Sequence, residues 1–393
     1  MFSETAVPYI KASVPVLREH GVKITTVFYA NMFKAHPELL NLFNMSNQAD
    51  GVQQQSLAAA GFAYAANFEN PGALAPVITR IVHKHASLGI TAEHYPIVGT
   101  HLLGAIKEVL GEAATPELIA AWAEAYGALA NALINEEKKL YGATAAPGNL
   151  LNVRVAEIIE QSPTAKTLKL QPLNGGKIPD YKPGQYITVY VTFADGHRQP
   201  RQYSLSDTPG SPYLSITIKK EVKSEKAADK SVSNWIHDNI AVGDSLEVSH
   251  PYGEFVVDTN SQKPVVMLAG GVGITPMIAA LNHLVQVNPQ HPVQLLYAIR
   301  SEQEYLHRTD IEKAMKVMPN LTFKLYTSQP SESVQARLTT QDIPHHILED
   351  ADIYMCGPTH FMQEQKKSLL ASGIKADRIH KEVFGPDLLE DLV

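Results

Sequence analysis

The run Met267-Leu-Ala-Gly-Gly-Val-Gly-Ile-Thr-Pro276 sets three glycines between an apolar stretch and a helical one. Bare backbone amides at a helix N-terminus suit a pyrophosphate, which makes Gly270, Gly271, Val272, Gly273, Ile274, Thr275 and Pro276 candidate contacts. Pro276 stands where the usual dinucleotide signature has a third glycine, and proline fits a first helical turn; a purely structural glycine turn is the alternative. Cys356, Gly357 and Pro358 form a second loop after an apolar strand, on the sheet edge where ligands gather, although Cys356 also reads as a small buried hydrophobe. Arg201, Gln202, Tyr203 and Ser204 combine a cation for phosphate, an aromatic face for a flat ring and a hydroxyl, with Arg201 and Tyr203 on one strand face. Taken alone, that tetrapeptide reads first as a solvated strand end. His85 shares an apolar helical stripe with Ile78, Ile81 and Leu88, while His83 points about 200° away. A buried imidazole needs a partner, and core packing competes with metal ligation as its explanation.

These groups must be held by elements of three kinds. Residues 1–142 are rich in Ala and Leu and show helical spacing, as in Trp122, Tyr126, Leu129 and Leu133. Residues 143–149 are small and contain Pro147 and Gly148, which suits a connection. From 150 to 260, short β-branched runs such as Tyr186–Phe193 and Leu214–Ile218 are separated by Pro-Gly and Asp-Gly pairs, and an antiparallel β-barrel is the natural closure. From 261 to 393, strands beginning near Pro264, Val293, Leu321 and Ile353 alternate with helices, predicting an α/β domain on a parallel sheet.

Composition removes several classes. A formal charge of -7 gives no field for gathering nucleic acid. The single cysteine excludes an internal disulfide, a four-cysteine zinc site and a cysteine-ligated iron–sulfur cluster, and points to a reducing cytoplasm. The N-terminal region reads as free of a signal peptide, and no run approaches the roughly 18 apolar residues of a membrane span.

In order along the chain, Pro183-Gly-Gln-Tyr186, Arg201-Gln-Tyr-Ser204, Gly253-Glu-Phe255, the glycine loop and Cys356-Gly-Pro358 resemble the ferredoxin-NADP reductase superfamily over Leu150–Pro386. The helical part resembles a globin: Gln53 and Leu57 share a helical face, His85 follows at the interval separating the two sides of a haem, and Phe43 holds the ring-packing position. A globin fused to a flavin reductase resembles the flavohaemoglobins, with further matches at Phe43-Asn-Met-Ser46, Lys84-His85, Tyr95-Pro-Ile-Val-Gly99, Ser233-Asn-Trp235 and Phe384-Gly-Pro386.

That resemblance implies haem b, FAD and NADH or NADPH. His85 becomes the iron ligand, with Tyr95 and Glu137 as its partners; Glu136 competes, because helical phase separates adjacent residues weakly. Tyr29 becomes the donor to bound dioxygen, assisted by Gln53, with Leu57 and Phe43 shaping the pocket; without the resemblance, Tyr29 reads as a core aromatic beside Phe28 and Phe33. Tyr186 and Arg201–Ser204 match the flavin site, Val383, Phe384, Gly385 and Pro386 bring an aromatic over the flavin, and Lys84 and Glu382 match charged positions near the two cofactors. The charged approach Lys223–Ser231 departs from the family's glycines, leaving pyrophosphate contacts at Ser231–Ser233 open. Arg300 and Ser301 suit a 2′-phosphate while Glu302 and Glu304 oppose it, which favours NADH. The implied activity is O2-dependent oxidation of nitric oxide to nitrate by a monomer. A haem-based sensor with an attached reductase and a reductase for external acceptors are the competing readings.

Overall fold

The computed structural model describes residues 3–221, 231–328 and 338–385. Two compact units result, the first built mainly from Met1–Leu150 with Tyr190–Arg201 and the second from Leu151–Val189 with Gln202–Phe384.

Six α-helices make the first unit: α1 (Val7–Ala35), α2 (Met45–Ala49), α3 (Val52–Asn67), α4 (Pro71–Leu88), α5 (His94–Leu110) and α6 (Pro116–Ala143). Local chemistry sets their ends. The Thr115 hydroxyl accepts from the Leu118 amide and Pro116 occupies the first turn, so α6 starts there. α4 stops at Gly89, whose φ of 73° lets the Ile90 amide reach back to the His85 carbonyl at 3.0 Å. The apolar stripes bury into two clusters. One collects Ile24, Phe28, Tyr29, Met32, Ile106 and Trp122, with Phe43 and Leu57 against it. The other collects Val82, Tyr95, Ala130 and Leu133, with Ile78 and Ile81 against it.

Six strands, β1 (Leu151–Ser162), β2 (Ala165–Pro172), β3 (Tyr186–Thr192), β4 (Arg198–Ser204), β5 (Leu214–Lys219) and β6 (Ser245–Val248), form a sheet of order β4-β3-β6-β1-β2-β5. β1 runs antiparallel to β2 and β6, and β2 to β5. The edges meet where Leu205, just past β4, bridges Ile216 on β5, which closes the expected barrel. Inward residues such as Val153, Leu168, Ile187, Ile216 and Val248 are fully buried. A helix, α7 (Val232–Asn239), follows β5 in the chain, capped by Ser231.

Beyond the barrel lie β7 (Val265–Gly270), α8 (Thr275–Val287), β8 (Val293–Ile299), α9 (Arg308–Val317), β9 (Leu321–Thr327), α10 (His345–Leu348), β10 (Asp352–Cys356), α11 (Thr359–Ala371) and β11 (Ile379–Glu382). The sheet order β11-β10-β7-β8-β9 is parallel at every pairing. Strand alternation divides its core: Met267, Ala269 and Leu295 face one cluster with α8, while Val266, Leu268 and Leu296 face another with α11. Strand β11 is absent from the sequence reading, since its four residues Ile379-His-Lys-Glu382 include three polar ones and carry no buried-strand signature.

Among the described residues, no helix is long and apolar enough to cross a membrane.

Candidate functional site

Helix α4 delivers His85 to its last turn, and α6 brings Glu137 across to it. His85 Nδ1 lies 2.8 Å from Glu137 Oε1 and 3.1 Å from Tyr95 Oη, while Tyr95 donates to the same carboxylate oxygen at 2.5 Å. Glu137 is 2% exposed, so its charge is held where solvent screens it little. Burial first, then the hydrogen bond and charge of Glu137, pushes the Tyr95 phenol far above its ordinary range, which keeps it a proton donor. With Nδ1 committed, Nε2 is the nitrogen left to ligate, and the His85 side chain is 31% exposed. Adjacent Glu136 turns outward to Lys139 at 2.6 Å, so the structure separates two residues that helical phase did not.

Sequence reasoning missed Tyr126, whose hydroxyl donates to the Tyr95 carbonyl at 2.6 Å. The signal was Gly99: a Cβ there would stand 2.6 Å from the Tyr126 ring. The glycine is the space that ring occupies.

Tyr29 sits in an aromatic cluster with Phe28, Phe33 and Phe43, at centroid distances of 4.7, 5.7 and 5.7 Å. Its hydroxyl receives the Gln53 amide at 3.4 Å. Burial raises the phenol to about 12 against the opposing effect of the Gln53 and Gln48 amides. Tyr29 is thus a core ring whose hydroxyl meets the Gln53 amide. Leu57 and Phe43 are half-buried against this cluster, and Lys84 is half-buried on α4. The donor set of an imidazole backed by a carboxylate, with separate phenol and amide donors, fits a haem whose iron would take one histidine nitrogen.

In the second unit Tyr186 is buried and bridges to Tyr252, and Ser204 is buried at the end of β4. Gln202 Nε2 donates to Thr188 Oγ1 at 3.2 Å. Arg201 is buried and its Nη1 donates to the Pro200 carbonyl at 2.7 Å. Tyr203 is half-buried. Ser231 caps α7 and lies 3.0 Å from Ser233, which puts two hydroxyls at a helix N-terminus. The charged approach at residues 223–230 lies outside the described residues.

The glycine loop turns at Gly271, whose φ of 55° needs glycine, and enters α8 at Thr275, whose hydroxyl donates to the Val272 carbonyl at 3.0 Å. Gly273 has a different task. Its α-carbon faces the Cys356 carbonyl so closely that any side chain would overlap it, and Gly270 faces Pro358 and Gly357. The two loops are thus locked together, with Ile274 and Pro276 buried below them. Cys356 is fully buried and burial pushes its thiol well up, so it acts as a small hydrophobe. Glu382 pairs in register with Cys356 at the end of β11, Val383 is half-buried, and Phe384 is 48% exposed with Gly385 beside it. Pro386 lies outside the described residues. Arg300 and Ser301 follow β8, while Glu304 is held by Lys219 at 2.7 Å.

Three family models match consecutive stretches: a globin over residues 26–133, an oxidoreductase FAD-binding domain over 152–257 and an oxidoreductase NAD-binding domain over 267–367. A flavohemoprotein of Chromobacterium violaceum is 44% identical, covering 98% of each chain. The chain belongs to the flavohaemoprotein family. A crystal structure of flavohemoglobin from Malassezia yamatoensis, with bound FAD and heme, superposes with a TM-score of 0.88 at 31% identity, covering 98% of this chain and 100% of that one. The FAD/NAD-binding domain of nitric oxide dioxygenase from Vibrio cholerae gives 0.56 at 34% identity, covering 60% of this chain and 99% of that one. The protein is an oxidoreductase in which a globin joins FAD- and NAD-binding domains, and haem, FAD and a nicotinamide nucleotide are the cofactors of such a set.

Proposed function

We propose that the protein is a nitric oxide dioxygenase that uses NAD(P)H and O2 to convert nitric oxide to nitrate. In this reading residues 1–142 form the haem domain, 143–149 the link, 150–260 the FAD barrel and 261–393 the nicotinamide domain. The observation that carries the proposal is the Glu137 carboxylate on His85 Nδ1, because a buried anion there makes the imidazole a stronger donor than simple oxygen storage requires. When bound, haem supplies an iron that takes gaseous ligands, and FAD supplies a carrier that accepts a hydride and releases electrons singly.

The chain's own groups do the rest. His85 would ligate the haem iron through Nε2, with Glu137 and Tyr95 holding its Nδ1 side in place. Tyr29, kept protonated by burial, would hydrogen-bond to dioxygen through its hydroxyl while keeping its proton, with Gln53 beside it. Leu57 and Phe43 keep water out and leave room for nitric oxide. Arg201 and Ser204 would hold the flavin's phosphate and ring, Phe384 would lie over the flavin, and the loops at Gly271 and Cys356 would seat the nicotinamide nucleotide. Lys84 and Glu382 tune the charge beside the two cofactors. Glu302 and Glu304 favour NADH over NADPH. The single cysteine supports a reducing cytoplasm, the charge of -7 supports small-molecule partners and not nucleic acid, and a monomer is the state that the family resemblance implies.

The test is to titrate nitric oxide into aerobic holoprotein while following NADH and nitrate. Each nitric oxide needs one electron to become nitrate with O2, and a hydride carries two, so about two nitric oxides should disappear per NADH. Binding without sustained turnover would indicate a sensor. NADH oxidation indifferent to nitric oxide would indicate a reductase for external acceptors.

A further inference from the structure

Four residues of the second unit close a hydrogen-bonded ring between the barrel strands and the start of α9. Gln161, near the end of β1, donates through Nε2 to Thr167 Oγ1 on β2 at 3.0 Å. Thr167 Oγ1 lies 2.7 Å from Thr217 Oγ1, its register partner on β5. Thr217 Oγ1 lies 2.8 Å from His307 Nε2, and the His307 amide donates to Gln161 Oε1 at 2.8 Å, which completes the circuit. From there the network enters the α/β domain. His307 Nδ1 is 2.8 Å from Asp310 Oδ2, and the other Asp310 oxygen accepts from Asn282 Nδ2 at 3.2 Å. Asn282 sits on α8, the helix that the glycine loop opens.

Thr167, Thr217 and His307 are all buried, so little water competes for these groups. Barrel residues Ala165, Phe255 and Val257 share an apolar cluster with Met277 and Leu281 of α8 and Ile311 of α9. Apolar contacts are non-directional, whereas hydrogen bonds weaken steeply as their angle opens, so the ring fixes a placement that the cluster leaves loose. His307 also holds a φ of 55°, the only positive φ at a non-glycine position among the described residues. Such a conformation persists where the surroundings over-determine it, and the ring supplies that constraint.

We propose that Gln161, Thr167, Thr217 and His307 are positioning residues that register α8 and its glycine loop on the flavin barrel, so that a bound nicotinamide meets the flavin at hydride-transfer distance. In that step a C–H bond of NADH breaks and its two electrons pass with the hydrogen to FAD, so NADH is oxidised and FAD reduced. A misplacement of about 1 Å in such a transfer costs on the order of 100-fold in rate. The inference rests on the reading of the Gly271 and Cys356 loops as the nicotinamide seat and extends it to groups that act through placement.

The experiment uses the haem- and FAD-loaded full chain. Thr217→Val removes the shared hydroxyl and keeps the branched shape, while Thr217→Ser keeps the hydroxyl. Amide hydrogen exchange over residues 302–312 reads the ring, and anaerobic stopped-flow mixing with NADH, plain or deuterated at C4, reads the transfer. Exchange there should be faster in Thr217→Val and unchanged in Thr217→Ser. Thr217→Val should lower the limiting rate of flavin reduction about 5- to 50-fold, with the half-saturating NADH concentration held within about twofold, because the lock between Gly273 and Cys356 is untouched. Thr217→Ser should restore the rate. The isotope effect in Thr217→Val should be at least as large as in the unaltered protein, since the slowed step is the transfer itself. Faster exchange with an unchanged limiting rate would show a merely structural ring and overturn the proposal. So would unchanged exchange, an isotope effect that shrinks toward unity, or a defect carried wholly by the half-saturating concentration. If the unaltered protein does not reduce its flavin with NADH, the reading of the nicotinamide seat fails and takes the inference with it. If it does and Thr217→Val matches it, the inference alone fails. Should Thr217→Val not fold, His307→Asn, a residue type that tolerates the positive φ, withdraws the imidazole and should give the same split between rate and half-saturation.

Discussion

Glu137 Oε1 stands 2.8 Å from His85 Nδ1 and receives the Tyr95 hydroxyl at 2.5 Å, so one buried oxygen anchors both side chains. The proton on Nδ1 is shared with a carboxylate that has little solvent to lean on. An imidazole so held is fixed in tautomer and ring orientation, and its remaining nitrogen becomes more basic.

Glu137→Gln keeps an acceptor but removes the charge. The haem reduction potential should rise and nitric oxide turnover should fall about 10- to 100-fold, the usual range for losing an outer partner of a metal ligand. Potentiometric titration with the turnover assay checks both. Glu136→Gln, which breaks only the exposed pair with Lys139, should change neither.

Tyr29→Phe deletes the hydroxyl from an otherwise retained ring. Dioxygen should leave faster by about ten- to a hundredfold, corresponding to roughly 1.5 to 3 kcal/mol. Because burial lifts the phenol to about 12, the donor stays protonated throughout the neutral and mildly alkaline range. The dissociation rate of the unaltered protein should therefore stay flat from about pH 6 to about pH 10, and stopped-flow mixing across that range tests it.

Gly273 and Gly271 should respond differently to alanine. At Gly273 a methyl overlaps the Cys356 carbonyl, so the two loops must part; stability should drop by about 1 to 3 kcal/mol and the KM for NADH should rise. At Gly271 nothing lies within contact range of an added methyl, and the cost is the positive φ, about 1 to 2 kcal/mol, with the loop contact kept. Thermal melts and NADH kinetics on the pair separate overlap from backbone strain.

His307 adopts a φ of 55° and is 3% exposed at the start of α9. Its ring nitrogens lie 2.8 Å from Thr217 Oγ1 and from Asp310 Oδ2, and its amide donates to Gln161 Oε1 at 2.8 Å. Burial works to raise the Asp310 carboxyl, but the hydrogen bond and charge of His307, with Asn282, bring it net below its ordinary value. A lowered carboxyl contributes stability that is full above its unfolded value, near pH 4, and is lost as pH falls through the folded one. Acid melts should therefore show the unaltered protein converging on Asp310→Asn below about pH 4. A stability gap that is constant with pH would remove the charge from the explanation.

Much of this molecule was legible before any coordinates. The stripes of α4 and α6, the alternation in β3 and β5, and the apolar runs of β7, β8 and β10 each carry the period of their element, because one-sided burial forces that period on the residues. His85 and the glycine loop stood out for a related reason, since their chemistry is costly or conspicuous inside otherwise apolar or turn-forming stretches, whereas Tyr29 and Gln53 came forward only through the family resemblance.

The tertiary structure decided what periodicity leaves degenerate. Glu136 and Glu137 differ by about 100° in helical phase, within reach of the same partner for a flexible side chain, until the packing of α4 against α6 buried one and left the other with Lys139. Gly273 reads from sequence as space for a phosphate, and the fold fills that space with the Cys356 carbonyl. Strand β11 pairs through backbone groups that side-chain patterns do not report. Sequence spacing encodes which way a residue faces along its own element; the neighbour it meets there depends on a second element far away in the chain.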